Sequence, residues 1–204
     1  MSKKTYAVIF LLSIVVAAYV TADSEESMRR DEWITFMFPE IETRTLSGEH
    51  LLLPRDGGKS ATVVFLAFER DTQEQIDAWS ERLVGVELNP SAAGGPLRIT
   101  PTGTDGGEVK IFEIPMLKGR WRFLSGVIDG GMRSGIPEAQ HPYVATFYGD
   151  VDKYRRTLEM KKKSHTYLYI LDAEGLIRFA AAGPPTGELV NEAVRTLKEL
   201  VGGK

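Results

Sequence analysis

From residue 61 to the end of the chain, short apolar runs alternate with amphipathic segments of helical period, and few architectures accommodate that alternation. The run at 61–68, ATVVFLAF, is continuous and rich in β-branched and aromatic residues, as a strand buried on both faces requires. The runs at 109–114 (VKIFEI), 143–148 (YVATFY) and 166–171 (TYLYIL) are of the same kind. Segment 71–83, DTQEQIDAWSERL, carries Ile76, Ala78, Trp79 and Leu83 on one helical face. Asp71 or Thr72 is placed to cap it, with Glu74 or Gln75 as the partner in a capping box. Strands separated by helices imply βαβ crossovers and a parallel sheet.

The remaining segments complete the pattern. Residues 41–53, IETRTLSGEHLLL, predict a hairpin turning at Ser47-Gly48. Residues 85–108 are rich in Gly and Pro and predict a long loop. Around 118–134, Trp121, Phe123, Leu124, Val127 and Ile128 recur at helical spacing, though interrupted by glycines that disfavour a regular helix. A helix is expected from Asp150 to about Met160. The run at 166–171 turns at Asp172-Ala173-Glu174-Gly175 into 176–181 (LIRFAA), an antiparallel pair at one edge. Thr186 caps a final helix reaching Val201, with Leu189, Val190, Ala193, Leu197 and Leu200 on one face and Gly202 at its end. The expected fold class is α/β: a three-layer sandwich with a mixed sheet, helices on both faces and an N-terminal β-hairpin.

Ahead of this domain lie two different segments. Lys3 and Lys4 precede an apolar run at 7–20, AVIFLLSIVVAAYV, which ends at Val20-Thr21-Ala22 with small residues placed for cleavage. Residues 1–22 therefore read as a secretory signal peptide, with an uncleaved membrane anchor as the alternative. Residues 23–35 are polar and charged, a lead-in to a domain spanning 36–204. The expected location is the exported side of a membrane.

Thiol chemistry is excluded, and the patterns for several other classes are missing. The chain has no cysteine, so it has no thiolate for disulfide exchange or peroxide reduction. His50, His141 and His165 are widely separated and form no spaced metal-ligand pair. Ser80, Ser125 and Ser134 sit in no Gly-x-Ser-x-Gly turn, and Gly130, Gly131 and Gly135 are followed by no phosphate-loop Lys-Ser/Thr pair. A formal charge of −3 gives no reason to expect nucleic acid. No cofactor is expected. Lys118, Arg120, Arg122 and Arg133 lie among Trp121, Phe123, Leu124 and Met132, a pattern shared by membrane-surface elements, partner-docking helices and ordinary packed helices.

With its order of elements, the chain resembles the thioredoxin-like superfamily in its peroxiredoxin and membrane-tethered branch. In that family the strand matching ATVVFLAF enters a Cys-x-x-Cys at the head of the first helix. Here Glu69, Arg70, Asp71, Thr72 and Gln73 follow instead, with Arg70 and Gln73 at the two cysteine positions. Where the family has a cis-proline facing the dithiol, this chain has His165-Thr166. A narrower resemblance covers residues 110–200, through WRFLSGVIDGGMRSGIP at 121–137 and TYLYILDAEGLIRFAAAG at 166–183. These are similar to the mitochondrial ATP synthase assembly factors of the Atp-ten family, matched at Tyr167, Tyr169, Asp172, Ile177, Arg178, Phe179 and Gly183. The signal-like N-terminus departs from the Arg-rich leader of a mitochondrial protein.

The resemblance implies a redox-inactive thioredoxin-like domain that binds protein, with ATP synthase subunits or another membrane complex as partner. Residues 7–20 offer a route to membrane association. Glu69, Arg70, Gln73, His165, Thr166, Tyr167, Tyr169 and Arg178 are the candidate binding residues. No residue is expected to be catalytic. The alternative is a non-thiol enzyme or small-ligand protein using the cleft at Arg70 and His165. A third reading is a lapsed peroxiredoxin-like domain with a structural role.

Overall fold

The computed structural model describes residues 36–88 and 97–202. The leader and lead-in lie outside the described residues. Seven strands form one sheet in the order β2-β1-β7-β6-β3-β8-β9. The hairpin is β1 (Ile41–Thr45) and β2 (His50–Leu53), turning at residues 46–49 as expected. Strand β3 (Ala61–Ala67) is the central element. It pairs in parallel with β6 (Val109–Lys118) and antiparallel with β8 (Tyr167–Asp172). Strand β6 also runs parallel to β7 (Ala145–Gly149), and β9 (Ile177–Ala182) closes the far edge against β8.

The predicted loop at 85–108 is more ordered than its composition suggests. Two short strands, β4 (Glu87–Leu88) and β5 (Leu97–Arg98), pair there, and Leu88 and Ile99 are buried in the core. Those two apolar side chains supply burial that the surrounding glycines and prolines do not advertise.

Helices α1 (Gln73–Leu83), α2 (Ser125–Gly135) and α4 (Gly187–Gly202) lie on one face of the sheet, and α3 (Val151–Thr157) lies on the other. Alternation along the strands splits the apolar residues into two cores. Beneath α1 and α4, Val63, Phe65 and Ile111 meet Ile76, Trp79, Leu83, Ala193 and Leu197. On the other face, Val64, Leu66, Phe112 and Ile114 meet Val151, Tyr154 and Leu158. The predicted cap of the last helix forms, with Leu189 N–H donating to Thr186 Oγ1 at 3.3 Å. The predicted cap of the first does not. A 3-10 turn, Arg70–Thr72, intervenes, and Thr72 Oγ1 donates backwards to Glu69 O at 2.7 Å.

Helix α2 is different from the others: none of its residues is buried. It lies over a polar part of the sheet, where Tyr148 Oη donates to Asp129 at 2.9 Å and Arg133 Nε donates to Leu46 O at 2.6 Å. Its glycines are not there to make room, because a Cβ added at Gly126, Gly130 or Gly131 would meet nothing within 4 Å.

The β8–β9 turn is organised by one carboxylate. Asp172, nearly buried, accepts from the backbone of Glu174 at 3.1 Å and Leu176 at 2.9 Å, and from Arg178 Nε at 2.7 Å. Gly175 takes φ +86°, and a Cβ there would run into the Pro54 ring.

Two stability predictions follow from these contacts. Asp172→Ala strips three donors of their acceptor and should cost about 2–4 kcal/mol, measured by urea unfolding. Gly130→Ala and Gly131→Ala, at open mid-helix positions, should each add roughly 0.5–1 kcal/mol in the same assay.

Candidate functional site

The parallel register of β3, β6 and β7 sends all three strands out of the sheet at one edge. Residue 67 lies level with 115, and 149 with 118. Because β8 is antiparallel to β3 and begins opposite Leu66, His165 and Thr166 arrive at the same edge. In open parallel sheets this carboxyl edge is where ligands and partners meet loop residues.

Glu69 leaves β3 in extended backbone, and the 3-10 turn then reverses the chain into α1. Glu69, Arg70 and Gln73 are all exposed. Gln73 Nε2 donates to Asp77 at 3.0 Å. Gln75 does more than its expected role as a cap partner. Its Nε2 donates to Ser164 O at 2.9 Å, while its Oε1 accepts from Thr166 N at 3.0 Å. This two-way clamp fastens the incoming strand to the head of α1. Thr166 is fully buried, its Oγ1 donating to Leu66 O at 3.4 Å. Half-buried His165 lies with its ring beside Gly183, whose carbonyl accepts from Trp79 Nε1 at 3.0 Å.

Of the eight residues singled out in the sequence, the structure gathers Glu69, Arg70, Gln73, His165 and Thr166 at this edge. Tyr167 and Tyr169 are core residues. Tyr167 Oη accepts from Lys162 N and donates to Lys162 O, both at 2.8 Å, and its ring meets Phe68 edge-on. Tyr169 is enclosed against Phe38. Burial pushes both phenols up from their ordinary pKa. Arg178 does point outward, but it is tied to Asp172 beside the turn, at the opposite end of the sheet from the carboxyl edge.

The sequence reading missed Glu113. It occupies β6 opposite Phe65, on the face covered by α1. Burial raises its pKa, a hydrogen bond from Gln73 opposes that rise, and the charge of Asp77 reinforces it. The available signal was a lone carboxylate inside the apolar run VKIFEI. The edge therefore presents a guanidinium, a carboxylate, a carboxamide and an imidazole over a partly buried acid. Such a surface is suited to recognition by hydrogen bonds and charge. Among the described residues, no group of three or more His, Asp or Glu converges as a metal site.

A family model described as ATP10 protein matches residues 28–200. The chain belongs to the ATP10 protein family. No curated protein matches it. Among solved structures, BsSco, of the Sco family of cytochrome c oxidase assembly proteins, aligns with TM-score 0.52 at 7% identity, over 82% of this chain and 95% of that one. The exposed lipoprotein thioredoxin of Streptococcus pneumoniae aligns at 0.46 and 13% identity, over 79% and 100%. Yeast Sco1 with copper bound aligns at 0.46 and 13%, over 80% and 93%. The thioredoxin-like fold expected from the sequence is therefore present, in an ATP10 family chain without cysteine.

Glu113 sets a pH prediction for this ATP10 family chain. Its folded pKa is raised, so its contribution is fully favourable below its unfolded pKa and is lost as pH rises through the folded value. Glu113→Gln should raise Tm at neutral pH, and the gain should vanish below about pH 4, where the acid is protonated folded or unfolded. Thermal melts across that range check it.

Proposed function

We propose that this protein works by binding rather than by catalysis, as a redox-inactive assembly factor for a membrane complex with ATP synthase subunits as its clients. One observation carries the reading. The ATP10 family pattern extends over residues 28–200 in a chain whose strand-to-helix junction offers Glu69, Arg70 and Gln73 where a dithiol would act. Thiol chemistry has no nucleophile here. What the junction retains is an exposed polar rim on a rigid edge, and rigid elements hold recognition groups more accurately than free loops. We assign client contact to Glu69, Arg70, Gln73 and the neighbouring His165.

In the same reading, the domain works on the exported side of a membrane, brought there by residues 7–20. No helix among the described residues is long and apolar enough to cross a bilayer.

Chemical cross-linking in native cells, followed by affinity capture and mass spectrometry, should recover ATP synthase subunits. Arg70→Glu should reduce that recovery severalfold without moving Tm, because Arg70 is exposed and its reversal uncovers no buried group. Recovery of nothing specific, or of another complex alone, would remove ATP synthase as the client. Arg178→Glu is not an equivalent probe, since it sets a second carboxylate against nearly buried Asp172 and should unfold the turn.

A further inference from the structure

Segment 119–135 carries a second apolar row, Trp121, Phe123 and Val127, on its solvent side. A surface helix ordinarily buries its apolar stripe and shows its polar face to water. Here the 3-10 turn Gly119–Leu124 and helix α2 bury no residue at all. Their sheet-facing hydrogen bonds run from Arg122 to Tyr148 O at 2.5 Å, from Tyr148 Oη to Asp129 at 2.9 Å, and from Arg133 to Leu46 O at 2.6 Å. Leu124, Ile128 and Met132 form a half-buried stripe toward the sheet, Met132 Sδ accepting from Thr146 Oγ1 at 3.5 Å, while Trp121, Phe123 and Val127 point the other way. Trp121 is 41% exposed, Phe123 79% and Val127 74%. Along the helix, the neighbours of Phe123 and Val127 three and four positions on include Gly126, Gly130 and Gly131. The apolar side chains therefore stand above a surface without side chains, as a ridge rather than a groove.

The charge around the ridge has one sign. Lys118, Arg120, Arg122 and Arg133 face a single acid in this stretch, Asp129, in a chain whose net charge is −3. Asp129 is engaged with Tyr148 on the sheet side. Arg122 and Arg133 bond to backbone carbonyls, which leaves their charges uncompensated, and Arg120 stacks over the Trp121 ring at 5.7 Å. Lys118 is paired with Asp152 at 2.9 Å. A projecting ridge of Trp, Phe and Val, with Arg120 on its flank and Arg122 and Arg133 behind it, matches an interface of acyl chains beneath anionic headgroups. A partner helix would instead find no groove to enter.

We infer that segment 119–135 seats this protein on the surface of an anionic bilayer, with Trp121, Phe123 and Val127 entering the headgroup layer and Arg120, stacked on Trp121, contacting lipid phosphate, while Arg122 and Arg133 add positive charge behind the ridge. The inference does not depend on which protein is the client.

The full chain also carries the apolar run at 7–20, so binding to vesicles alone would not isolate this segment. Trp121 can report on it directly. In a Trp33→Phe background the remaining tryptophans are Trp121 and Trp79, and Trp79 is fully buried. The protein is mixed with vesicles of phosphatidylcholine, with or without phosphatidylglycerol, that have brominated acyl chains. The expected result is quenching and a blue shift of Trp121 emission with the anionic vesicles, reversed by high salt. Arg120→Glu should raise the lipid concentration needed for half-quenching roughly tenfold, and Phe123→Glu should abolish quenching with Tm unchanged. No quenching by anionic vesicles would overturn the inference, as would equal quenching by neutral ones. So would a photo-cross-linker at position 123 that, in cells, joins one protein in place of lipid.

Discussion

The pairing of β3 with β6 on one side and β8 on the other is the interaction on which the rest of the structure depends. All seven residues of β3 are in parallel register with β6, and six of them also face β8. Buried on both faces and paired at both edges, β3 satisfies its backbone groups internally and divides the apolar side chains between two cores. Its register also fixes which residues share an edge. A slip of one residue would exchange the two cores and would separate Gln75 from Thr166.

Neither core needs a thiol. Arg70 and Gln73, which the thioredoxin-like resemblance sets against two cysteines, are exposed and contribute to neither apolar cluster. Among the described residues, every buried side-chain nitrogen or oxygen has a hydrogen-bond partner. The absence of a dithiol therefore leaves the fold intact. The anchoring of the His165-Thr166 segment now rests on the carboxamide of Gln75.

Much of this fold was legible in the chain. Continuous apolar runs gave β3, β6, β7 and β8, and helical spacing gave α1 and α4, because those elements bury what their period displays. The far end of β6 was less visible, since Met116–Lys118 pair with β7 alone and end in a charged residue. The head of α1 was misread because Asp71 has cap chemistry, while the backbone takes a 3-10 turn that uses Thr72 instead. The site was harder still. Tyr167 and Tyr169 carried the family resemblance, yet they lie inside because Phe38, Leu158 and Met160 cover the face of β8 from which they project. Gln75 acts on residues about ninety positions away, which no local pattern encodes. The exposure of Phe123 and Val127 beside α2's half-buried Ile128 and Met132 depends on what lies beneath, and Thr146 and Tyr148 of β7, which line that floor, gave no sign of it in the sequence.

The shared edge has a consequence for how strongly such a protein needs to bind anything. The turn that follows β6 emerges one strand away from the turn that follows β3. The proposed lipid contact on the first and the proposed client contact on the second would be held on one rigid frame. Attachment through either raises the effective concentration at the other without any new contact. Two individually weak contacts suffice on this geometry. Such a pair would select clients already at the bilayer, and release of either contact would weaken the hold of the other.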